Sequence, residues 1–324
     1  MPIANDRMPQ ANNIGPTLEH PHVAEAGLRF GGNWTDQKLT ILRKYLNAYT
    51  MALKNKRFDR IYIDAFAGTG YLEIRSDAAE RSSGVPDLLF AEQAGEDAAE
   101  FLDGSARIAL ETDPPFDRFV FIEKSAKRLA ELRRFVDENP VAAKRTNMIH
   151  GDCNRELPAL CRQVSWRRTR AVLFLDPFGM SVDWGTMKAV AETRAIDVWV
   201  LFPVGIGVNR LLTARLSDMD PKWADRLTRL FGTDEWKSAL YKRAVEPDLL
   251  LGSLETDQKY CNCKAIVDYY LARLRTIFPG VDSAPKFLRN SRQSPMFALC
   301  FAVGNPEPRA RGLALKLAKD VLRS

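Results

Sequence analysis

The stretch Arg60-Ile61-Tyr62-Ile63-Asp64-Ala65-Phe66-Ala67-Gly68-Thr69-Gly70 begins as an apolar run and ends in a turn of small residues. Its β-branched and aromatic residues predict a buried strand. Glycines in the turn let the backbone approach a ligand closely, and a strand that runs into such a turn often holds a nucleotide-type ligand on an open α/β sheet. Alone, the stretch fits a tight turn in any α/β protein equally well.

Further apolar runs predict four more parallel strands and a final strand, at 119–123, 147–150, 171–175, 196–202 and 296–303. Helical patterns alternate with them, as expected for a parallel sheet that is covered on both faces. Leu39, Leu42, Tyr45, Leu46 and Tyr49 lie on one face of a first helix, for which Thr35 or Asp36 is the expected cap. Further helices are predicted at 104–110, 129–136 and 312–322. The fold class is therefore α/β with a Rossmann-like sheet.

The organisation expected from these patterns is one elaborated domain. Residues 1–30 mix Pro, Asn, Gly and His without periodicity and are expected to form a flexible arm. Residues 31–324 form the α/β domain. It is expected to carry one insertion at about 71–103, with a short helix, and a mostly helical one at about 205–290.

Composition limits the classes of protein that fit. Of the 324 residues 46% are hydrophobic, which is enough for an ordinary core, and no apolar run reaches the roughly 20 residues of a membrane span. Residues 1–16 lack the apolar centre of a signal peptide, so we expect a cytoplasmic protein without membrane contact. Five scattered cysteines and three histidines predict reduced thiols and no metal site.

The positive charge is concentrated. The net charge is +6, and residues 286–324 alone carry eight Lys or Arg against two Asp or Glu. A second basic cluster surrounds Trp166 and consists of Arg162, Arg167, Arg168 and Arg170. Both segments suit contact with nucleic-acid phosphates, although solvated basic surfaces explain them equally well.

Acidic residues stand at or just after the ends of four predicted strands: Asp64, Glu123, Asp152 and Asp176. Ligands of open parallel sheets bind along the edge at which the strands end. Four strands that bring carboxylates to one edge therefore indicate a binding site there.

The order of these acids narrows the ligand. An acid after the second strand suits the ribose of NAD or of S-adenosylmethionine. The dinucleotide fingerprint needs a third glycine, whereas Gly68-Thr69-Gly70 is followed by Tyr71-Leu72-Glu73. S-adenosylmethionine, which is cationic, also suits Asp64, so it is favoured over an NAD-type oxidoreductase. Lys38 could reach a carboxylate of the cofactor, or it could be a solvated lysine.

These motifs resemble those of the class I S-adenosylmethionine-dependent methyltransferases. The resemblance implies that the first turn cradles the methionine part of the cofactor, through Asp64, Phe66, Ala67, Gly68 and Gly70. It implies that Glu123 binds the ribose and that Asp152 and Cys153 flank the adenine.

A further motif, Asp176-Pro177-Phe178-Gly179, resembles the fourth motif of amino-methylating enzymes, commonly Asp/Asn-Pro-Pro-Tyr/Phe. In that motif the acid or amide and the proline carbonyl accept hydrogen bonds from the target amine, while the aromatic ring stacks on the base. Here Phe178 directly follows Pro177, so the second proline is missing. The expected function is methylation of an amine on a nucleic-acid base, and the alternative is a non-catalytic or cofactor-binding accessory subunit.

A closer resemblance is to the three-Cys-motif partner family (TcmP). Its residues are distributed over most of the chain, at 34–38, 41–46, 62–70, 104–110, 119–123, 151–154, 174–179, 296–302 and 305–306. Where that family has histidines, this chain has Trp34 and Leu39. The resemblance implies a methyltransferase-like fold and a partner protein with a three-cysteine, radical-type motif.

Overall fold

A computed structural model of the protein describes residues 33–67, 97–177, 180–248 and 252–323. In this part of the chain, the main sheet contains eight strands: β1 (Asp59–Asp64), β2 (Arg118–Glu123), β3 (Thr146–His150), β4 (Thr169–Leu175), β5 (Ile196–Phe202), β8 (Gly280–Val281), β9 (Lys286–Arg289) and β10 (Pro295–Val303). A separate antiparallel hairpin consists of β6 (Tyr241–Asp248) and β7 (Gly252–Lys259).

The strand order of the main sheet is β3-β2-β1-β4-β5-β10-β8, and β9 also pairs with β10. Strands β1 to β5 are parallel, and β10 runs antiparallel to β5. The predicted α/β class is confirmed, because the sheet is mostly parallel and helices cover both of its faces. The order reverses between β1 and β4, which makes this pair the topological switch point of the sheet.

Alternation along the strands explains why the central runs are continuously apolar. In β5, Val198 and Val200 pack into one core cluster, whereas Trp199 and Leu201 pack into the cluster on the opposite face. Successive side chains of a strand point to opposite faces, so a strand with a helical layer on each side needs apolar residues at every position.

The helices are α1 (Asn33–Leu53), α2 (Asp97–Leu110), α3 (Ala126–Asp137), α4 (Pro140–Ala143), α5 (Cys153–Gln163), α6 (Trp184–Glu192), α7 (Asn209–Leu211), α8 (Pro221–Phe231), α9 (Trp236–Leu240), α10 (Cys263–Arg275) and α11 (Pro308–Arg323). Helices α1, α2, α3 and α11 cover one face of the sheet, and α5, α6, α8 and α10 cover the other. One turn of π-helix (Val204–Val208) follows β5.

Helix α1 confirms the predicted apolar face and corrects its predicted start. Leu42, Tyr45, Leu46 and Tyr49 are buried. The helix begins at Asn33, ahead of both residues that were predicted to cap it. Thr35 is instead a buried residue of the first turn, next to Trp34, which packs against Phe297 of β10.

The region 205–290 is less helical than the sequence predicted. It contains the β6–β7 hairpin, and it supplies β8 and β9 to the main sheet. The hairpin strands are rich in charged residues, and β8 has only two residues, so neither shows the apolar run on which strand prediction relied.

Several sequence predictions lie outside the described residues. These are the arm at 1–30, most of the insertion at about 71–103, and the residues Gly68, Gly70, Phe178 and Gly179. The helix predicted at 104–110 is confirmed as the second half of α2. Within the described part of the chain, no helix combines the length and apolarity that a membrane crossing requires.

Candidate functional site

The candidate site lies at the carboxyl ends of β1 and β4, where the strand order reverses. Asp64 is the last residue of β1 and pairs in register with Phe174 of β4, while Asp176 follows β4 directly. The Ala65 amide also donates to the Phe174 carbonyl at 3.3 Å, which keeps the two chain segments together beyond the end of β1. Ligands of open α/β sheets bind at this switch point.

Asp176 forms a buried ion pair with Lys38 from the first turns of α1. The Lys38 Nζ atom lies 2.9 Å from the Asp176 Oδ2 atom, and the two side chains are only 3% and 11% exposed. The ammonium group also lies 4.7 Å from the ring centroid of Trp34, which packs against Phe297 of β10. Lys38 is therefore not a solvated lysine, and it belongs to the site. Its predicted contact with a cofactor carboxylate remains a prediction.

Asp64 is enclosed and holds the backbone at the start of the turn. Its Oδ1 atom accepts from the Phe66 amide at 3.1 Å, and its Oδ2 atom accepts from the Ser105 hydroxyl at 3.0 Å and from the Tyr62 hydroxyl at 3.4 Å. Burial raises the pKa of Asp64 to about 7, with the negative charge of Asp176 adding to the rise, although these hydrogen bonds lower the pKa in part.

The remaining predicted acids occupy different environments. Glu123 ends β2 and is buried, and its Oε1 atom accepts from the Ser125 amide at 2.7 Å, which fixes the carboxylate beside β1. Asp152 is exposed and caps α5 by accepting from the Asn154 amide at 2.9 Å. Cys153 packs in the apolar core, and burial raises the pKa of its thiol well above the ordinary range.

The described part of the first turn closes against β2. The Ala67 amide donates to the Ile122 carbonyl at 3.1 Å, and Ala67 is buried, whereas Phe66 is half-buried against the core. Pro177 is buried directly after Asp176. The structure thus brings together the ends of β1, β2 and β4 with the start of α1.

Sequence reasoning missed three residues of this site. Tyr62 lies two positions before Asp64 in β1. Side chains two positions apart in a strand point to the same face, so the sequence could have indicated this contact. Ser105 reaches Asp64 from α2 across 41 positions, and no local pattern indicates such a contact. The hydroxyl of Thr35, one turn before Lys38, is buried and has no hydrogen-bond partner among the described residues.

The site concentrates buried carboxylates at one edge of the sheet. Asp64, Glu123 and Asp176 are all buried, and Lys38 forms an ion pair with Asp176. The negative charge of Asp176 contributes to the raised pKa of Asp64, so these two carboxylates repel each other. A cationic ligand would relieve this repulsion, so this edge favours a cationic ligand over an anionic one such as a pyrophosphate.

No protein-family profile and no curated protein matches this chain. Among solved structures, the chain is similar to a spermidine synthase in complex with the transition-state analogue AdoDATO, with 8% identity and a TM-score of 0.39 over 86% of this chain. The matched region spans 64% of the length of that synthase. It is also similar to the CcbJ methyltransferase from Streptomyces caelestis, with 11% identity and a TM-score of 0.30 over 81% of this chain and 95% of that one. At these values the likeness carries no argument about activity, which rests on the site itself.

Proposed function

We propose that this protein is an S-adenosylmethionine-dependent methyltransferase that acts on an amine of a nucleic-acid base. The observation that carries the proposal is the group of three buried carboxylates, Asp64, Glu123 and Asp176, at the carboxyl ends of three neighbouring parallel strands.

The donor set at this edge fits the cofactor. S-adenosylmethionine supplies a methyl group on a positively charged sulfur, together with a cationic amine and a ribose. In this proposal Glu123, whose Oε1 atom is held by the Ser125 amide, accepts from the ribose hydroxyls. Asp64 accepts a hydrogen bond from the Phe66 amide at the start of the turn, and its carboxylate contributes negative charge there. An NAD-type cofactor fits less well, because its pyrophosphate would face buried carboxylates.

In this proposal Asp176 orients the target amine. Lys38 occupies Oδ2 and prevents the carboxylate from rotating, so Oδ1 is left to accept an N–H from the amine. The Pro177 carbonyl is the second acceptor that the resemblance to the amino-methylating motif implies. Two acceptors fix the direction of the nitrogen lone pair, and methyl transfer depends mainly on such alignment in a site shielded from water.

The basic segments support a nucleic-acid substrate. The turn between β9 and β10 extends beyond the carboxyl edge of the sheet, because Ala298 already pairs with the last residue of β5. Arg289 and Arg292 stand at this turn, on the same edge as Asp176. Their positive charge suits the phosphates that flank a presented base.

The proposal is tested by incubating the protein with S-adenosylmethionine and total nucleic acid and analysing the nucleosides by mass spectrometry. We expect one base to gain the mass of one methyl group. Asp176→Ala should lower the rate roughly 100-fold, since the amine loses its orienting acceptor. An Asp176→Ala variant that methylates at the wild-type rate would contradict the assigned role.

A second candidate function is a cofactor-binding accessory subunit of a nucleic-acid modification system. It is favoured by the same ion pair, because Lys38 already neutralises the carboxylate that a catalytic motif would offer to its substrate. The partner in this case would be a protein with the three-cysteine, radical-type motif that the TcmP resemblance implies. Calorimetric binding of S-adenosylmethionine, without turnover on DNA, rRNA or tRNA, would favour this function.

A further inference from the structure

A cleft of about 620 Å³ opens at the opposite edge of the sheet, at the amino ends of β1, β2 and β4. Three arginines from two separate segments reach it, Arg118 at the start of β2 and Arg167 and Arg168 just before β4. Its lining is Asp59, Arg118, Gln163, Val164, Ser165, Arg167, Arg168 and Thr169. Asp59 is the one acidic residue that the described part of the chain contributes to this lining, so these lining residues carry a net charge of +2.

Within the described ranges, no acidic side chain forms an ion pair with the arginines of the cleft. Asp117, the carboxylate next to Arg118 in the chain, is bound by Arg60 through Nε at 3.0 Å, Nη2 at 3.1 Å and the backbone amide at 2.8 Å. Arg118, Arg167 and Arg168 are exposed, and among the described residues none forms a salt bridge with them. Three guanidinium groups are thus available to a ligand.

The arginines around Trp166 make different contacts in the structure. Arg170 is structural, because it donates to the carbonyls of Trp166 and Thr169 and lies 4.2 Å from the ring centroid of Phe58. Arg167 and Arg168 face the cleft instead, and the Asp59 amide holds their loop by donating to the Arg168 carbonyl at 2.8 Å.

We propose that this cleft binds phosphates of a nucleic-acid strand, with Arg118, Arg167 and Arg168 as their donors. Arginine suits this ligand because its planar fork matches the phosphate oxygens. The inference deepens the proposed function and rests on it for one point, that the bound strand carries the target base. The cleft and the candidate site are separated by the length of β4, roughly 20 Å, so one strand would contact both by following the surface of the domain.

The test uses the full chain and a fluorescein-labelled single-stranded DNA oligonucleotide, with binding followed by anisotropy over a range of salt concentrations. The triple variant Arg118→Gln, Arg167→Gln, Arg168→Gln should bind at least about tenfold more weakly. Its slope of log affinity against log salt should fall by about 2, because about 0.7 is lost for each phosphate contact to a single strand. Two oligonucleotides of different sequence should show the same loss, since phosphate contacts carry no sequence information.

The matched control removes three positive charges elsewhere, with Lys127→Gln, Arg133→Gln and Arg134→Gln on exposed positions of α3. We expect the control to bind within about twofold of the wild-type protein. Equal weakening of both triple variants would overturn the proposal in favour of a general charge effect. Unchanged affinity of the cleft variant, or binding of inorganic phosphate at the cleft by a protein that does not bind the oligonucleotide, would overturn it as well.

The two proposals fail separately. The cleft variant should bind S-adenosylmethionine with the affinity of the wild-type protein, because it changes no residue at the carboxyl edge. A wild-type protein that binds the oligonucleotide through the cleft but does not bind the cofactor would contradict the proposed function and leave the cleft as a phosphate site. A wild-type protein that binds the cofactor, together with a cleft variant of unchanged oligonucleotide affinity, would contradict the cleft proposal and leave the proposed function standing.

Discussion

The two edges of the sheet each bury an aspartate, and the same helix supplies a partner to both. At the carboxyl edge Lys38 forms an ion pair with Asp176, whereas near the amino edge the Tyr45 hydroxyl donates to Asp197 Oδ2 at 3.2 Å. The two partners are seven positions apart, which places them on the same face of α1. The helix therefore presents a charged partner at the candidate site and a neutral one in the core.

The difference in partner corresponds to a difference in what surrounds each aspartate. The partner of Asp197, Tyr45, lies among aromatic rings and packs edge-on against Trp199 and Phe301. Burial raises the pKa of Asp197 to about 7, while the hydrogen bonds from Tyr45 and the Gly304 amide lower it in part. The positive charge of Arg170 also lowers this pKa, but the hydrogen-bonded partner of Asp197 on α1 is a neutral hydroxyl. Asp176 has Asp64 as an acidic neighbour, and a cation stabilises that pair of carboxylates.

The largest expected effect is the loss of stability when the ion pair between Lys38 and Asp176 is broken. Lys38→Met leaves the Asp176 carboxylate buried without its cation, and we expect a loss of about 3 kcal/mol in the free energy of unfolding. The double variant Lys38→Met, Asp176→Leu should recover most of this loss, because no unpaired charge remains. Urea denaturation at pH 7 measures both variants. A loss of less than about 1 kcal/mol for Lys38→Met would show that water solvates the pair.

A smaller effect is expected near the amino edge. Tyr45→Phe removes one hydrogen bond to Asp197, but the Gly304 amide still donates to this carboxylate. We therefore expect a loss of about 1–2 kcal/mol in the free energy of unfolding. Tyr49→Phe is the control, because the ring stacks on Phe116 and the hydroxyl has no hydrogen bond among the described residues. Equal losses in the two variants would assign the effect to packing of the hydroxyls and not to the Asp197 contact.

The smallest expected effect is the release of a fraction of a proton when the cofactor binds. With a pKa of about 7, Asp64 is partly protonated at pH 7, and a cationic cofactor at the carboxyl edge lowers this pKa. Binding of S-adenosylmethionine should therefore release less than one proton through Asp64, and affinity should rise with pH through this range. Calorimetry in two buffers with different ionisation enthalpies measures the release.

Asp197, near the amino edge, provides the control for this measurement. Asp64→Asn should abolish the contribution of this group, whereas Asp197→Asn should leave the release unchanged, although Asp197 has a similar pKa. A release that depends on Asp197 instead would mean that the ligand binds near the amino edge.

Much of the fold was predictable because the central strands are buried on both faces. The apolar run at 196–202 matches β5 at both ends, and the runs before Asp64, Glu123 and Asp176 match β1, β2 and β4 within two residues. The hairpin of β6 and β7 was missed because its strands are polar, and they are stabilised by antiparallel pairing with each other. The start of α1 was misplaced because Thr35 resembles a solvent-exposed cap, while tertiary packing buries it.

The sequence alone determined the class of sheet and the edge at which the acids Asp64, Glu123 and Asp176 meet, because strand period and parallel order follow from local patterns. Only the tertiary structure decided which charges pair. Lys38 and Asp176 are 138 positions apart, and Arg118 joins Arg167 and Arg168 from another strand. The physical reason is that the desolvation of a charge, and hence its need for a partner, depends on what packs around it in three dimensions, which no local pattern records.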